Sequence, residues 1–321
     1  MFLNLLWIIV GFVFLIKGAD YLVDGASQIA KSFHIKEIII GLTVVSVGTS
    51  MPEFVVSLTS SLNQHSDIAI GNIIGSNISN LFFILGICAA IKPLKFKEQT
   101  IRLEIPLVIF LTALLYIFGN NGNEKIITKI EGLILVIFCI LFIFYNIFMA
   151  KKENKEEFKK DSEQNNKIMI KSILGIIIGI ISLKLGGDFV VNNASEIATN
   201  IGVSEKIISL TIVAISTSLP ELITSINATL KGEIDMAIGN VIGSNIFNIV
   251  LIIGVTSLIK PIIYSVSYNK DIIIFMIGML VLAVLPFIGE KNKISRWDGI
   301  GYIICYASYM ASLVCSNLKI M

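Results

Sequence analysis

The sequence predicts an all-α integral membrane protein: ten transmembrane helices in two inverted five-helix repeats, with helices 2 and 7 broken at an ion site. Three observations predict it. Apolar runs of about twenty residues recur along the chain, the length that crosses ~30 Å of hydrocarbon. The two halves align without a gap, and each carries one acid inside a proline-interrupted apolar segment.

Of the 321 residues, 55% are hydrophobic and 15% charged, and the mean hydropathy is +0.85. A soluble globular chain carries about 25% charged residues. The composition therefore excludes an ordinary soluble enzyme and a nucleic-acid-binding module. Disorder needs the opposite bias, and a barrel would show short alternating segments instead of long runs.

Taken in order, the spans are 5–24, 36–62, 68–90, 103–118, 128–150, 168–191, 205–230, 236–258, 271–288 and 299–316. The first, MFLNLLWIIVGFVFLI, lacks a basic n-region and an A-x-A site and runs on past Lys17, so it reads as a helix and not a signal peptide. Residues 151–167, KKENKEEFKKDSEQNNK, have no apolar periodicity and read as a flexible solvated linker. They separate a first repeat (1–150) from a second (168–321). Cys88, Cys139, Cys305 and Cys315 all lie in apolar segments without metal-ligand spacing and read as packing residues.

A shift of 168 residues superposes the halves from about Gly18 to Pro93. GTSMPEFVVS at 48–57 falls on STSLPELITS at 216–225, and ten of the twelve residues from Asp67 to Ile78 recur in Asp235 to Ile246. The duplicated blocks are 41–62 and 67–90 in the first half, 209–230 and 235–258 in the second. Five spans per half, an odd number, make the copies enter the membrane from opposite sides, the architecture of inverted-repeat secondary transporters. Lysines and arginines test the orientation. With both termini outside, seventeen fall in inside loops and six in outside loops. The positive-inside rule then puts the linker in the cytoplasm of a multi-pass cell-membrane protein.

Glu53 and Glu221 carry the chemistry. A charge at the bilayer centre costs at least ~2.5–3.5 kcal/mol, and two acids at equivalent repeat positions should meet near the midplane. Pro52 and Pro220 lack an N–H and break the helix, which frees carbonyls around Ser46–Thr49 and Ala214–Thr217. Thr49, Ser50, Thr217 and Ser218 add hydroxyls. Such an all-oxygen set suits Ca²⁺ or Na⁺ and no softer metal. In the second motif, G-N-x-x-G-S-N-x-x-N, Ser76 and Asn80 share one helix face, as do Ser244 and Asn248. Those faces complete the site. Gly71, Gly75, Gly239 and Gly243 read as close-packing positions. Asn72, Asn77, Asn240 and Asn245 divide between ligation and helix–helix hydrogen bonding, while Asp20 and Asp188 read as snorkelling or capping residues near span ends. There is no phosphate-binding G-x-x-x-x-G-K-[ST] loop and no nucleophile–base pair outside the membrane, so neither a nucleotide partner nor an enzyme is expected.

The paired GTSMPE/STSLPE and GNIIGSNISN/GNVIGSNIFN segments resemble the α-repeats of the sodium/calcium exchangers, within the broader cation/Ca²⁺ exchanger superfamily. The resemblance, to a prokaryotic ten-helix member, implies an antiporter that couples Na⁺ to Ca²⁺ movement without a cofactor. Its partners are the two ions and the lipid bilayer. Helices one and six then slide past a core of helices two, three, seven and eight. Carried over by motif, the implied ligands are Thr49, Ser50, Glu53, Ser76 and Asn80, with Thr217, Ser218, Glu221 and Ser244 and carbonyls near Ser46 and Ala214. Two positions depart: Asn248 stands where many relatives carry Asp, leaving two acids in the site, and Ser216 replaces the glycine before Thr-Ser. A Ca²⁺/H⁺ exchanger is the alternative expectation, and a Ca²⁺-permeable channel a more distant one.

Overall fold

A computed structural model describes residues 2–33, 35–63, 65–153, 162–200, 217–288 and 292–318. Its helices are α1 (Phe2–Ser32), α2 (Glu37–Thr49), α3 (Met51–Leu62), α4 (Ser66–Ile91), α5 (Thr100–Asn120), α6 (Lys129–Glu153), α7 (Ser162–Asn200), α8 (Leu219–Lys231), α9 (Ile234–Ile259), α10 (Val266–Phe287) and α11 (Arg296–Leu318). Among the described residues, seven helices are long and apolar enough to span a membrane, and α2 with α3 passes as one bent pair. The molecule is an all-helical membrane protein built from two repeats. Its apolar surface agrees: Ile137, Leu141, Phe144 and Phe148 of α6 are exposed at helical spacing, as are Ile170, Leu174, Ile177 and Ile181 of α7. Lipid, not water, solvates such stripes.

Two boundaries differ from the sequence reading. α1 extends to Ser32, and the polar stretch after the first half is helical at both ends, through Glu153 and again from Ser162. Lys, Glu and Gln are good helix formers, so a membrane helix continues into water without an apolar stripe to announce it. Residues 154–161 lie outside the described residues, as does 201–216, which holds the expected start of span seven.

Short strands join loops from the two halves. β1 (Leu94–Lys95) pairs antiparallel with β4 (Lys293–Ile294), and β2 (Ile126–Ile127) with β3 (Ile262–Ile263). The 168-residue shift carries Leu94 onto Ile262 and Ile126 onto Ile294, so the two ladders are repeat mates. α6 and α11 each start with a capping box: the Thr128 and Ser295 backbone N–H groups donate to Glu131 and Asp298, at 2.7 and 2.8 Å, and Glu131 and Asp298 N–H groups donate back to the hydroxyls.

α1 and α7 run antiparallel along a seam of small residues. Gly11 faces Gly186, Gly18 faces Gly179 and Gly25 faces Ser172; a Cβ at Gly11 or Gly18 would lie 2.8 or 2.9 Å from the opposite carbonyl. Backbone meets backbone here, so no side chain fits. Gly179→Ala is expected to destabilise the protein by about 1–3 kcal/mol through overpacking, whereas a Cβ at Gly187 meets nothing within 4 Å among the described residues. Thermal melts of Gly179→Ala and Gly187→Ala in detergent check this: equal transitions would mean that the seam is not tight.

Candidate functional site

Pro52 sits in the first turn of α3, where its missing N–H costs nothing within the new helix but leaves the Gly48 carbonyl without its usual donor. α2 and α3 meet at 46°. The joint is Ser50, with φ −82° and ψ 6°, and its repeat mate Ser218 has φ −86° and ψ 3° ahead of Pro220 in α8. α3 and α8 therefore start from one local geometry, which aims their first turns, and with them Glu53 and Glu221, into the interior. Each glutamate is 1% exposed.

The two halves complete each other at this point. Ser50 donates to Glu221 Oε1 at 2.8 Å, and Ser218 to Glu53 Oε1 at 3.5 Å. Thr49 donates to Asn240 Oδ1 at 3.1 Å, and Thr217 to Asn72 Oδ1 at 3.2 Å. Asn72 Nδ2 in turn donates to the Glu53 carbonyl and to Ser57 Oγ, at 3.2 and 3.0 Å. Asn240 does the same with the Glu221 carbonyl and Ser225 Oγ, at 3.5 and 2.9 Å. With amide oxygen and nitrogen both engaged, these two asparagines act as clasps between helices. The sequence left that choice open.

Deeper along α4 and α9, Asn80 Nδ2 donates to Asn245 Oδ1 at 3.2 Å and Asn248 Nδ2 to Asn77 Oδ1 at 2.9 Å. Both residues sit in wide π-helical stretches of six residues each, Ser79–Ile84 and Asn248–Ile253. Such π-turns interrupt the helical register and are frequent at functional sites. Sequence gives no signal for them beyond the repeated asparagine.

Five buried oxygens of the expected set are left without a hydrogen-bond partner: Glu53 Oε2, Glu221 Oε2, Ser244 Oγ, Asn80 Oδ1 and Asn248 Oδ1. They come from both halves and from all four helices of the duplicated motifs. A buried unpaired polar atom costs free energy, and a hard cation among such oxygens would relieve it. Among the described residues no group of three or more His, Cys, Asp or Glu could hold a metal, so the donor set remains two carboxylates, amides and hydroxyls. The pseudo-two-fold is not perfect. Ser76 donates to Glu53 Oε1 at 3.4 Å and accepts from Ser218 at 3.3 Å, whereas its mate Ser244 has no partner. The Ser46 carbonyl, an expected ligand, accepts from both Ser50 N–H and Thr49 Oγ1, at 3.0 and 3.3 Å, so it is already engaged. Ala214 and Ser216 lie outside the described residues.

Glycines bring the motif helices this close. A Cβ at Gly239 or Gly243 would stand 2.6 or 2.8 Å from the α2 carbonyls of Ile38 or Leu42, and one at Gly71 would meet the Tyr268 hydroxyl. At Gly75 nothing lies within 4 Å among the described residues.

The model of the sodium/calcium exchanger protein family matches residues 3–148 and 171–314, one block per half. The chain belongs to the sodium/calcium exchanger family. It is 31% identical to the sodium/calcium exchanger MaX1 of Methanosarcina acetivorans, over 97% of this chain and 98% of that protein. An inner membrane protein of Escherichia coli K12, YrbG, is 34% identical over 87% of each chain. Among solved structures, the sodium-calcium exchanger NCX_Mj, soaked in Na⁺ without Ca²⁺, superposes with a TM-score of 0.84 at 32% identity, covering 97% of this chain and 99% of that one. Members of this family are transporters.

The clasp yields a test that depends on no transport assay. Asn240→Ala takes from Ser225 Oγ its donor and leaves Thr49 only its longer bond to the Ser46 carbonyl, and should cost about 1–3 kcal/mol of stability. Thr49→Val should then cost less in the Asn240→Ala background than alone, because the shared bond is already gone. Additive losses in detergent thermal melts would show that the two side chains do not interact.

Proposed function

We propose that this protein is a secondary antiporter that exchanges Na⁺ for Ca²⁺ by alternating access at a midplane site around Glu53 and Glu221. The observation that carries the reading is the set of unpartnered buried oxygens contributed by both halves around two carboxylates. The ligands proposed are Glu53, Glu221, Thr49, Thr217, Ser50, Ser218, Ser76, Ser244, Asn80 and Asn248, with the Ser46 carbonyl available once Thr49 turns towards an ion, and the Ala214 carbonyl as its repeat mate.

Charge explains why such a site exchanges ions and does not leak them. Two ionised carboxylates balance one Ca²⁺, which takes about 6–8 oxygens. Na⁺ ions need the same oxygens, so one cargo must leave before the other binds. An empty site would carry two bare charges through a low-dielectric region, and that cost opposes movement without cargo. No cofactor takes part in this scheme, and no bond is made or broken.

Ten spans in two inverted repeats, 1–150 and 168–321, joined by a cytoplasmic 151–167 linker, fit the strand pairing. Loops that pair must lie on one side of the membrane, so an even number of crossings separates β2 from β3. Spans five to eight make four. The same parity holds from β1 to β4, and the lysine and arginine count favours both termini outside. The α1–α7 seam supports a sliding pair: backbone-to-backbone contact binds the two helices together, while α1 shares a buried cluster that includes the small side chains Ala26, Ala30, Ala228 and Ala237 with α8 and α9.

The deciding measurement is ⁴⁵Ca²⁺ flux in proteoliposomes. A Na⁺ gradient at fixed pH should drive uptake; a requirement for a pH gradient instead would make the protein a Ca²⁺/H⁺ exchanger, and flux with no counter-ion a channel. Glu53→Gln and Glu221→Gln should each reduce exchange at least a hundredfold while still inserting and folding, since losing a buried acid lowers the membrane cost. Near-normal exchange by either purified variant removes that glutamate from the site.

A further inference from the structure

Away from the ion site, α1 is tied to the α8–α9 corner by a charged cluster. Lys231 Nζ lies 3.0 Å from Asp20 Oδ1 and 2.7 Å from Asp24 Oδ1, and Asn227 Nδ2 donates to Asp20 at 2.9 Å. One turn on, Glu233 Oε1 accepts from Ser27 Oγ at 3.0 Å and from Lys31 Nζ at 3.1 Å. Hydrogen bonds, first from the Glu37 carboxyl and then from Lys31 and Ser27, hold Glu233 below the usual carboxylate range. It is therefore charged at neutral pH, and its contact with Lys31 is a true ion pair.

The repeat supplies an internal control. The shift of 168 carries Asp20, Asp24, Ser27 and Lys31 onto Asp188, Asn192, Ser195 and Thr199. It carries Asn227, Lys231 and Glu233 onto Thr59, Asn63 and His65. Of the three charge-bearing positions on α1 (Asp20, Asp24 and Lys31) and the two on the α8–α9 corner (Lys231 and Glu233), only the acid at Asp188 persists in the mate. Asp188 pairs with Lys184 of its own helix at 2.7 Å, and Thr199 donates to the Ser195 carbonyl at 2.9 Å. Duplication built two ends of one design; among the described residues, these ionic ties between the first helix of a repeat and the opposite corner occur at only one of them.

An inverted repeat makes the inward-open and outward-open states near-equivalent in packing, so a tie at one end alone breaks their balance. We propose that the Asp20/Asp24–Lys231 and Lys31–Glu233 cluster is a latch that closes the cytoplasmic end and biases the empty transporter towards the outward-open state. The sidedness and the sliding of α1 rest on the function proposed above; the latch itself rests on the contacts. Because a ligand's apparent affinity falls with the fraction of protein able to bind it, the latch also makes the transporter asymmetric. It binds ions more readily from outside than from the cytoplasm.

The test uses the full-length protein without its four native cysteines and with Ala228→Cys, which is buried against α1 beneath the latch. A membrane-impermeant maleimide reports opening without any transport. Lys231→Met should speed labelling about three- to tenfold, as expected for loss of a small ion-pair network, and Lys231→Arg should keep it slow. Asp20→Asn with Asp24→Asn should match Lys231→Met, and adding Lys231→Met to that pair should change nothing more. Should Ala228→Cys fail to fold, Ala30→Cys probes the same contact from α1. In sided ⁴⁵Ca²⁺ assays, the half-saturating Ca²⁺ at the cytoplasmic face should fall while that at the outer face rises. Opposite shifts are the signature, since general destabilisation moves both constants the same way. Unchanged labelling in Lys231→Met overturns the latch. A wild-type protein with no Na⁺-driven flux overturns the function instead, and the labelling result still decides the latch.

Discussion

Everything in this structure answers to two buried carboxylates that the protein itself does not neutralise. Glu53 and Glu221 receive hydroxyl groups from each other's half, yet one oxygen of each is left without a partner, and among the described residues no basic side chain hydrogen-bonds to either. A fold that wanted only stability would have paired or removed them. Holding them there takes helix starts at Ser50 and Ser218 that aim them inward, small residues that bring four helices together, and amide clasps that join the halves. On the function proposed above, the transported cations are what balance the two carboxylates.

How much of this could be read beforehand follows the distance over which each signal acts. The acids, the prolines beside them and the duplication are local patterns; the two-half plan, and the choice of a candidate site, could be read from them. The clasps were only half legible. Asn72 and Asn240 stand out as polar residues in apolar helices, but their roles depend on Thr217 and Thr49 of the other half, which no local pattern encodes. The π-turns at Asn80 and Asn248 were invisible, because a π-helical stretch has no composition of its own. The ends of the linker were misjudged for the converse reason: lysine and glutamate say water, and helices extend into water.

The seven-residue glycine spacing in α1, at Gly11, Gly18 and Gly25, was present in the sequence but spoke only once α7 was seen opposite it. A similar lesson comes from the glycine pair Gly239/Gly243. Its small-residue spacing predicted close approach to another helix, without saying that the neighbour would be α2, on whose far end the first break depends. Repeat symmetry fills part of this gap, since a contact found in one half names its mate in the other. The departures from symmetry, at Ser76 against Ser244 and at Lys231 against Asn63, are where the two halves have acquired separate duties.

The strand pairs β1–β4 and β2–β3 have a consequence for how the chain is made. Each ladder takes one strand from each half, and Glu53 and Glu221 each receive a serine from the opposite half. On the ribosome the first half enters the membrane alone, with both edge strands unpaired and its acid lacking Ser218. It cannot reach its final form until α8 to α11 have followed. A chain carrying one copy would have to find those partners in a second molecule. Carrying both copies in one chain replaces a search between separate molecules with a tether.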